Sequence, residues 1–433
     1  MNLHMDAIRA AAEKARKSSY SLSSIPLDVR NAALESIALA LESNSEEITE
    51  ANAKDMKAAE EMKLPQALIK RLKYSQDKIS ESVTSIRSIM QQEDVIGKVL
   101  SKTELDEGLI LDKVSCPIGV IGVVFESRPD ALVQISCLCL KSGNAVLLEG
   151  GSEAKNTNLI LAELIQKAII SVDERFDGTV QLLSTREEFQ SLLKHDDLID
   201  LIIPRGSNQL VRSIMESTRI PVMGHAAGIC HTYVDKDADL KMAAKVCFDA
   251  KVQYPAGCNA TETLLIHSDI VEKFLPVIAE EYEKAGVEMR GDERVRKIVE
   301  MSAASEDDWS EEYNDLVISI KIVDSLREAI DHINRYSSHH TDAIITSSEA
   351  AAEEFMDDVD SSSTMWNTST RFADGYRYGL GAEVGISTNK THARGPVGLE
   401  GLTIYKYKLR GKGQTVAEYS GKDGRKYTHR KLL

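Results

Sequence analysis

Cys258 stands in YPAGCNATETLLIH, residues 254 to 267, between a turn-forming Pro-Ala-Gly and an apolar run. A thiol at the mouth of a turn is accessible, and backbone N–H groups there can point at one place. A thiolate so held is stabilised, and an oxyanion formed on its adduct can accept those N–H bonds. That is the chemistry of a covalent nucleophile. Spacing alone fits a buried cysteine equally, and both readings stand at this point. The other five cysteines carry less signal. Cys137 and Cys139 fall in DALVQISCLCLKSG, which reads as a helix, so their side chains diverge by about 200°. Both read as small buried hydrophobes.

Three further stretches could bind an anion. FESRPD (125–130) puts Arg128 at a strand end before a proline, where a guanidinium can grip a carboxylate or phosphate bidentately. LEGGSEA (148–154) carries Gly150 and Gly151 between a strand and a helix, which permits close backbone approach to a ligand at a helix N-terminus. PRGSNQ (204–209) has the same geometry with Arg205 as an added charge. Each is also compatible with a plain surface turn. GHAAGICH (224–231) holds His225 and His231 six apart with no further ligand nearby, so no metal is expected. His225 reads as a polar site lining and His231 as structural. GLGAEVG (379–385) has the wrong spacing for a dinucleotide fingerprint and reads as an active-site loop or a tight packing turn.

These residues need elements to position them. Residues 1 to 95 read as a series of amphipathic helices. Residues 97 to 124 read as a hairpin arm and then a buried strand. An α/β rhythm follows. GVIGVVFE, NAVLLEG, TVQLLS, LIDLIIPRG and IPVMG read as strands, each followed or preceded by a helix. This spacing predicts a parallel, doubly wound sheet with ligands at the C-terminal strand ends. A second α/β unit begins near DKDADLKMAAKVCFDAKVQ, and GLTIYKYKLR returns to β-structure before a polar tail. No internal repeat and no low-complexity segment occurs.

The bulk numbers narrow the class. With 433 residues and a net charge of 52 − 68 = −16, a nucleic-acid binder is disfavoured, because its affinity rests on neutralising phosphates. No run of about 18 apolar residues occurs, so no membrane span is expected. The N-terminus lacks the apolar stretch of a signal peptide. The six cysteines include no C-x-x-C, which fits free thiols and a cytoplasmic setting.

Taken together, PIGVIGVVFESRPD, SGNAVLLEGGSEA, PRGSNQLV, GHAAGICHTYVDKDADL, QYPAGCNATETLL, YSSHHTDAI and GLGAEVGISTNKTHARGPVGLEGLT resemble the aldehyde dehydrogenase superfamily. Within it they are most similar to the branch of gamma-glutamyl phosphate reductases, or glutamate-5-semialdehyde dehydrogenases, over about residues 1 to 415. The resemblance implies an α/β fold with a Rossmann-like NADPH-binding domain (1–100 and 114–237) and an α/β catalytic domain (238–370). It also implies a β-hairpin oligomerisation arm with a C-terminal tail (101–113 and 400–433), hence a homo-oligomer, dimer or tetramer. The implied reaction is reduction of L-glutamyl 5-phosphate to the semialdehyde, in proline biosynthesis, with Cys258 as nucleophile. Another acylating aldehyde dehydrogenase, using CoA or phosphate, is the alternative.

Further roles follow from the resemblance. Ser127, Arg128, His225, Asn259, His392 and Arg394 are implied at the substrate. Gly150, Gly151, Ser152, Gly206, Ser207 and Glu312 are implied at the cofactor. Hydrolytic members of the superfamily carry a glutamate base in a segment ending in DADL, and counting back from DADL (237–240) that position falls on His225. A thioester that must wait for hydride or phosphate is better kept without such a base. One feature pulls against NADPH: the loop EGGSEA holds Glu149, which suits a free ribose 2′-OH better than a 2′-phosphate. Glutamate 5-kinase, absent from these residues, is implied as a separate partner.

Overall fold

The computed structural model describes residues 2–183, 185–225 and 227–433. Ser184, at the end of TVQLLS, and Ala226, within GHAAGICH, lie outside them, as does Met1. The chain opens with five helices: α1 (Asn2–Leu22), α2 (Leu27–Ser43), α3 (Ser45–Glu61), α4 (Gln66–Leu72) and α5 (Gln76–Gln91). Helical period explains their packing. In α2, Ala33, Leu34, Ile37, Ala38 and Leu41 form one buried stripe. A hairpin follows, β1 (Val99–Asp106) and β2 (Leu109–Pro117), turning at Gly108 with φ +73°.

The first α/β unit comprises β3 (Val120–Phe125), α6 (Pro129–Lys141), β4 (Ala145–Gly150), α7 (Lys155–Val172), β5 (Val180–Leu183), α8 (Arg186–Leu192), β6 (Leu201–Arg205) and α9 (Asn208–Ser217). Its strands are all parallel, in the order β5-β4-β3-β6. β3 is buried at every residue, as a strand covered on both faces must be. IPVMG, expected as a strand, contributes only one bridge, Val222 to Ile202. Pro221 has no N–H to give a ladder, so the pairing stops there.

The second unit runs through β7 (Cys230–Val234), α10 (Leu240–Val252), β8 (Thr261–His267), α11 (Val271–Lys284), β9 (Glu288–Gly291), β10 (Ser302–Ala303), β11 (Val317–Val323), α12 (Leu326–Tyr336), β12 (Thr341–Ile345), α13 (Glu349–Asp358) and β13 (Ser363–Trp366). Its seven strands are parallel in the order β10-β9-β11-β8-β7-β12-β13. β7 is not evident from the sequence pattern, because His231 and Thr232 interrupt its apolar run. Both are buried and paired within the sheet. His231 takes Asp342 at 3.0 Å, and Thr232 takes Thr261 at 2.8 Å.

The chain then returns to the first unit. β14 (Ile386–Ser387) pairs with β15 (Gly395–Pro396), and nearby Ala382, Val384, Val397, Leu399 and Leu402 join the core beneath the first sheet. β16 (Thr403–Arg410) pairs along β2, and the polar tail ends in β17 (Arg430–Lys431) on β1. The result is a four-stranded antiparallel arm, β16-β2-β1-β17. On β16 every residue from Ile404 to Arg410 is exposed, Tyr405, Tyr407 and Leu409 among them. Among the described residues no helix is long and apolar enough to cross a membrane.

Candidate active site

The loops that leave β3, β4 and β6 meet the loops that enter β7, β8 and β12. The first sheet therefore offers its C-terminal edge, as the strand-end rule predicts, and the second offers its N-terminal edge. A cavity of about 580 Å³ lies in the crevice between α9 and the segment 310–312, lined in part by Asn208, Arg212, Ser213, Ile229 and Glu312. Asn208 Nδ2 bridges it, donating to Glu312 Oε2 at 2.8 Å.

Cys258 sits half-buried in the loop between α10 and β8. The loop is a pair of tight turns: Gly257 N–H donates to the Tyr254 carbonyl at 3.1 Å, and Ala260 N–H to the Gly257 carbonyl at 2.8 Å. Among the described residues no acceptor takes the N–H of Cys258 or of Asn259. Those two donors are left for a ligand. Gly228 lies against this loop so closely that a Cβ there would stand 2.1 Å from the Cys258 carbonyl oxygen, so only glycine fits. Beneath, the Cys230 thiol donates to the same carbonyl at 3.3 Å. Lys251 at the end of α10 and Glu262 at the start of β8 meet at 2.5 Å, both fully buried, and so clamp the two ends of the loop. Burial pushes the Glu262 carboxyl up to about 8 and Lys251 down.

Two histidines converge on the thiol. One ligating atom from each of His225, Cys258 and His340 lies within 4.8 Å of the others. Strand order explains the convergence: these residues immediately precede or lead into β7, β8 and β12, and β8-β7-β12 are neighbours about 4.8 Å apart. The two imidazoles meet edge to face at 4.9 Å. His225 Nδ1 is bonded to the Ile386 carbonyl at 2.8 Å, and His340 Nδ1 to Thr341 Oγ1 at 2.9 Å. Among the described residues, His340 Nε2 is buried without a hydrogen-bond partner.

Cations surround this group. Arg205, at the end of β6, is in electrostatic contact with Cys258 and with Glu383, and its Nη1 is buried without a hydrogen-bond partner. Burial, followed by repulsion from Arg128, lowers its pKa. Arg371 also feels Cys258, lies over the Tyr254 ring and donates to Gln253 at 3.0 Å. Arg128 pairs with Asp130 at 3.1 Å. Ser127, buried in a left-handed conformation with φ +47°, is held there by its N–H and hydroxyl, both donated to Glu153 Oε1 at 2.6 Å.

The loops expected at a cofactor line the same edge of the first sheet. Gly150 and Gly151 end β4, and Gly206 and Ser207 open α9. Ser207 caps α9, accepting from Leu210 N–H at 3.4 Å, while its own N–H donates to Glu126 at 3.0 Å. A Cβ on Gly151 would stand 2.1 Å from Glu153, and one on Gly206 2.6 Å from Glu126. Ser152, in the 3-10 turn that precedes α7, is exposed. Glu149 is buried with one carboxylate oxygen unpartnered among the described residues, and burial raises its pKa to about 7.

Not every residue named from the sequence joins the group around Cys258. Asn259 is buried and gives its amide to the Ala373 carbonyl at 2.7 Å. His392 is exposed and bonds to the Gly401 carbonyl at 2.9 Å, and Arg394 is tied to Asp360 at 3.1 Å. His340, Arg371 and Glu383 were not singled out from the sequence. The only local signal for His340 was a histidine pair before an apolar strand. Glu383 stands in GLGAEVG, read as an active-site loop or packing turn, and Arg371 offers no signal beyond its charge.

The profile of the aldehyde dehydrogenase family matches residues 2–297. A gamma-glutamyl phosphate reductase of Methanosarcina barkeri is 55% identical over 435 residues, covering 98% of this chain and 97% of that one. The crystal structure of a gamma-glutamyl phosphate reductase from Thermotoga maritima superposes with a TM-score of 0.92 at 39% identity, over 94% of this chain and 99% of that one. An acetylating aldehyde dehydrogenase from Geobacillus thermoglucosidasius shares the fold, with a TM-score of 0.65 at 16% identity over 95% of this chain and 98% of that one.

Proposed function

This chain belongs to the aldehyde dehydrogenase family, and from that premise we propose that it reduces L-glutamyl 5-phosphate to L-glutamate 5-semialdehyde and phosphate, through a thioester on Cys258 and at the expense of NADPH. The observation that carries the reading is the group at the strand ends. A thiol meets two imidazoles, and the group contains no carboxylate to activate water.

The steps follow from the residues. An imidazole Nε2 of His225 or His340 takes the thiol proton. The Cys258 thiolate attacks the acyl carbon, and the carbon–oxygen bond to phosphate breaks. Arg205 and Arg371 meet the phosphate dianion as it leaves, and Arg128, next to Arg205, faces the substrate's carboxylate or phosphate. The reduced nicotinamide, when bound, supplies a hydride to the thioester carbon. The free N–H groups of Cys258 and Asn259 hold the oxygen of the resulting thiohemiacetal. Cys258 then leaves as thiolate and regains its proton from imidazolium. His225 stands where hydrolytic relatives are expected to carry a glutamate, so the acyl group outlasts water.

The crevice fits a dinucleotide in size and in its helix N-terminus. Gly150, Gly151, Ser152, Gly206 and Ser207 would hold its phosphates, and Glu312 its nicotinamide ribose. Glu149 and Glu126 weigh against a 2′-phosphate, and Arg186, which acts on Glu149, is the cation that would offset them. Assembly through the exposed β16 edge, a cytoplasmic setting with six free thiols and supply of the labile acyl phosphate by glutamate 5-kinase belong to the same proposal. Gel filtration of the mixed pair would show no shift if the two enzymes form no stable complex.

The test runs the reaction backwards, with glutamate semialdehyde, NADP or NAD, and either phosphate, CoA or neither. Turnover that requires phosphate supports the reading. Turnover that ignores it, or that requires CoA, overturns it. The faster oxidised cofactor decides the nucleotide.

A further inference from the structure

The thiol and the two imidazoles also form a set of ligands for a soft divalent cation. We propose that Cys258, His225 and His340 bind Zn²⁺ reversibly in the free enzyme, and that this cation silences it by capturing the nucleophile. The inference rests on the nucleophilic role given to Cys258 above, but concerns a different ligand.

Four features carry it. The three ligating atoms already lie within 4.8 Å of one another. Tetrahedral zinc with ordinary N and S bond lengths needs about 3.3 to 3.6 Å between ligands, so small side-chain rotations close the site. Both imidazoles are oriented as ligating histidines usually are, with Nδ1 bonded to an oxygen, Ile386 O for His225 and Thr341 Oγ1 for His340. His340 Nε2 is wholly buried with nothing to bond, a cost that a metal would remove. The donor set, one sulfur and two nitrogens, suits Zn²⁺ and disfavours Mg²⁺ or Ca²⁺, which take oxygen. On binding, the thiol gives up its proton to solvent, a sulfur–zinc bond forms, and water keeps the fourth position. The substrate's carbonyl then finds no free thiolate.

Arg205 and Arg371 oppose a cation here, since both act on Cys258. They keep the affinity below that of a closed structural site.

The experiment uses Co²⁺ as a spectroscopic stand-in, added without oxygen to the full-length enzyme. One equivalent should produce a near-ultraviolet thiolate-to-cobalt band and visible bands of tetrahedral intensity, both erased by Zn²⁺. Cys258→Ser should lose the thiolate band, while Cys230→Ser, the nearest other thiol, should keep it. His340→Gln should weaken binding roughly tenfold or more. His225→Gln, at a less buried position, repeats that test if the His340 variant does not fold. Absence of the band, its survival in Cys258→Ser, or its transfer to Cys230 would each overturn the proposal. Phosphate-dependent turnover persisting without any cobalt band would sink this inference and leave the reductase reading intact.

Discussion

The two parallel sheets turn opposite edges toward one crevice. The first presents the ends of β3, β4 and β6, where Gly150, Gly151 and Gly206 form turns and Arg128 and Arg205 stand as cations. The second presents the starts of β7, β8 and β12, where Cys258, His225 and His340 expose side chains. Glycine turns at a helix N-terminus, and guanidinium groups, can bind phosphate without forming a covalent bond to it. A side-chain edge can exchange protons and form a covalent bond. On the function proposed above, the difference is a division of labour: the first edge sets affinity and the second sets the rate of chemistry.

The largest expected effect breaks the second edge outright. Cys258→Ala should lower kcat/KM on the order of 10⁴-fold or more, with the cofactor still bound, as seen by fluorescence titration. Activity surviving that change would end the proposed division. Next comes the clamp behind the loop. Lys251→Met leaves Glu262 buried without its cation, and should cost about 3 to 5 kcal/mol in a denaturant titration. The double variant Lys251→Met, Glu262→Leu should recover most of it. A single-variant cost near zero would mean that the pair does not hold the loop.

A paired test then sharpens the contrast. His225→Gln should reduce kcat roughly 10²-fold with little change in KM for the cofactor. Asn208→Ala, which removes the bond to Glu312 across the crevice, should instead raise that KM several-fold, an effect of about 1 kcal/mol, and spare kcat. The reverse pattern would assign the roles the other way round.

The smallest effect is the most specific to the first edge. Burial holds the Glu149 carboxyl up at about 7. A carboxyl whose folded pKa is raised stabilises the native state below the unfolded value, and that contribution is lost as pH rises through the folded one. Stability should therefore decline between roughly pH 4.5 and pH 7, and less so in Glu149→Gln. The same variant should gain NADPH over NADH above about pH 7, where the native enzyme carries the charge. Parallel pH profiles for the two proteins would remove Glu149 from the site.

The sequence alone determined what depends on near neighbours along the chain. The helical stripes of the first 95 residues, the buried runs of β3 and β4, the hairpin and the turn around Cys258 all follow from local period and turn chemistry. It also named Cys258, His225 and Arg205, because each stands in a short segment with a mechanical reason to be there. Tertiary structure alone decided what depends on strand order. β7 was hidden because its polar residues are satisfied only by Asp342 and Thr261, far along the chain. His340 became a candidate only when β12 came to lie beside β7, and Arg371 only when its loop folded over Tyr254. Asn259, by contrast, was drawn into the fold by Ala373. Period and spacing record which face of an element is buried; they do not record which elements become neighbours, and this site is assembled between neighbours.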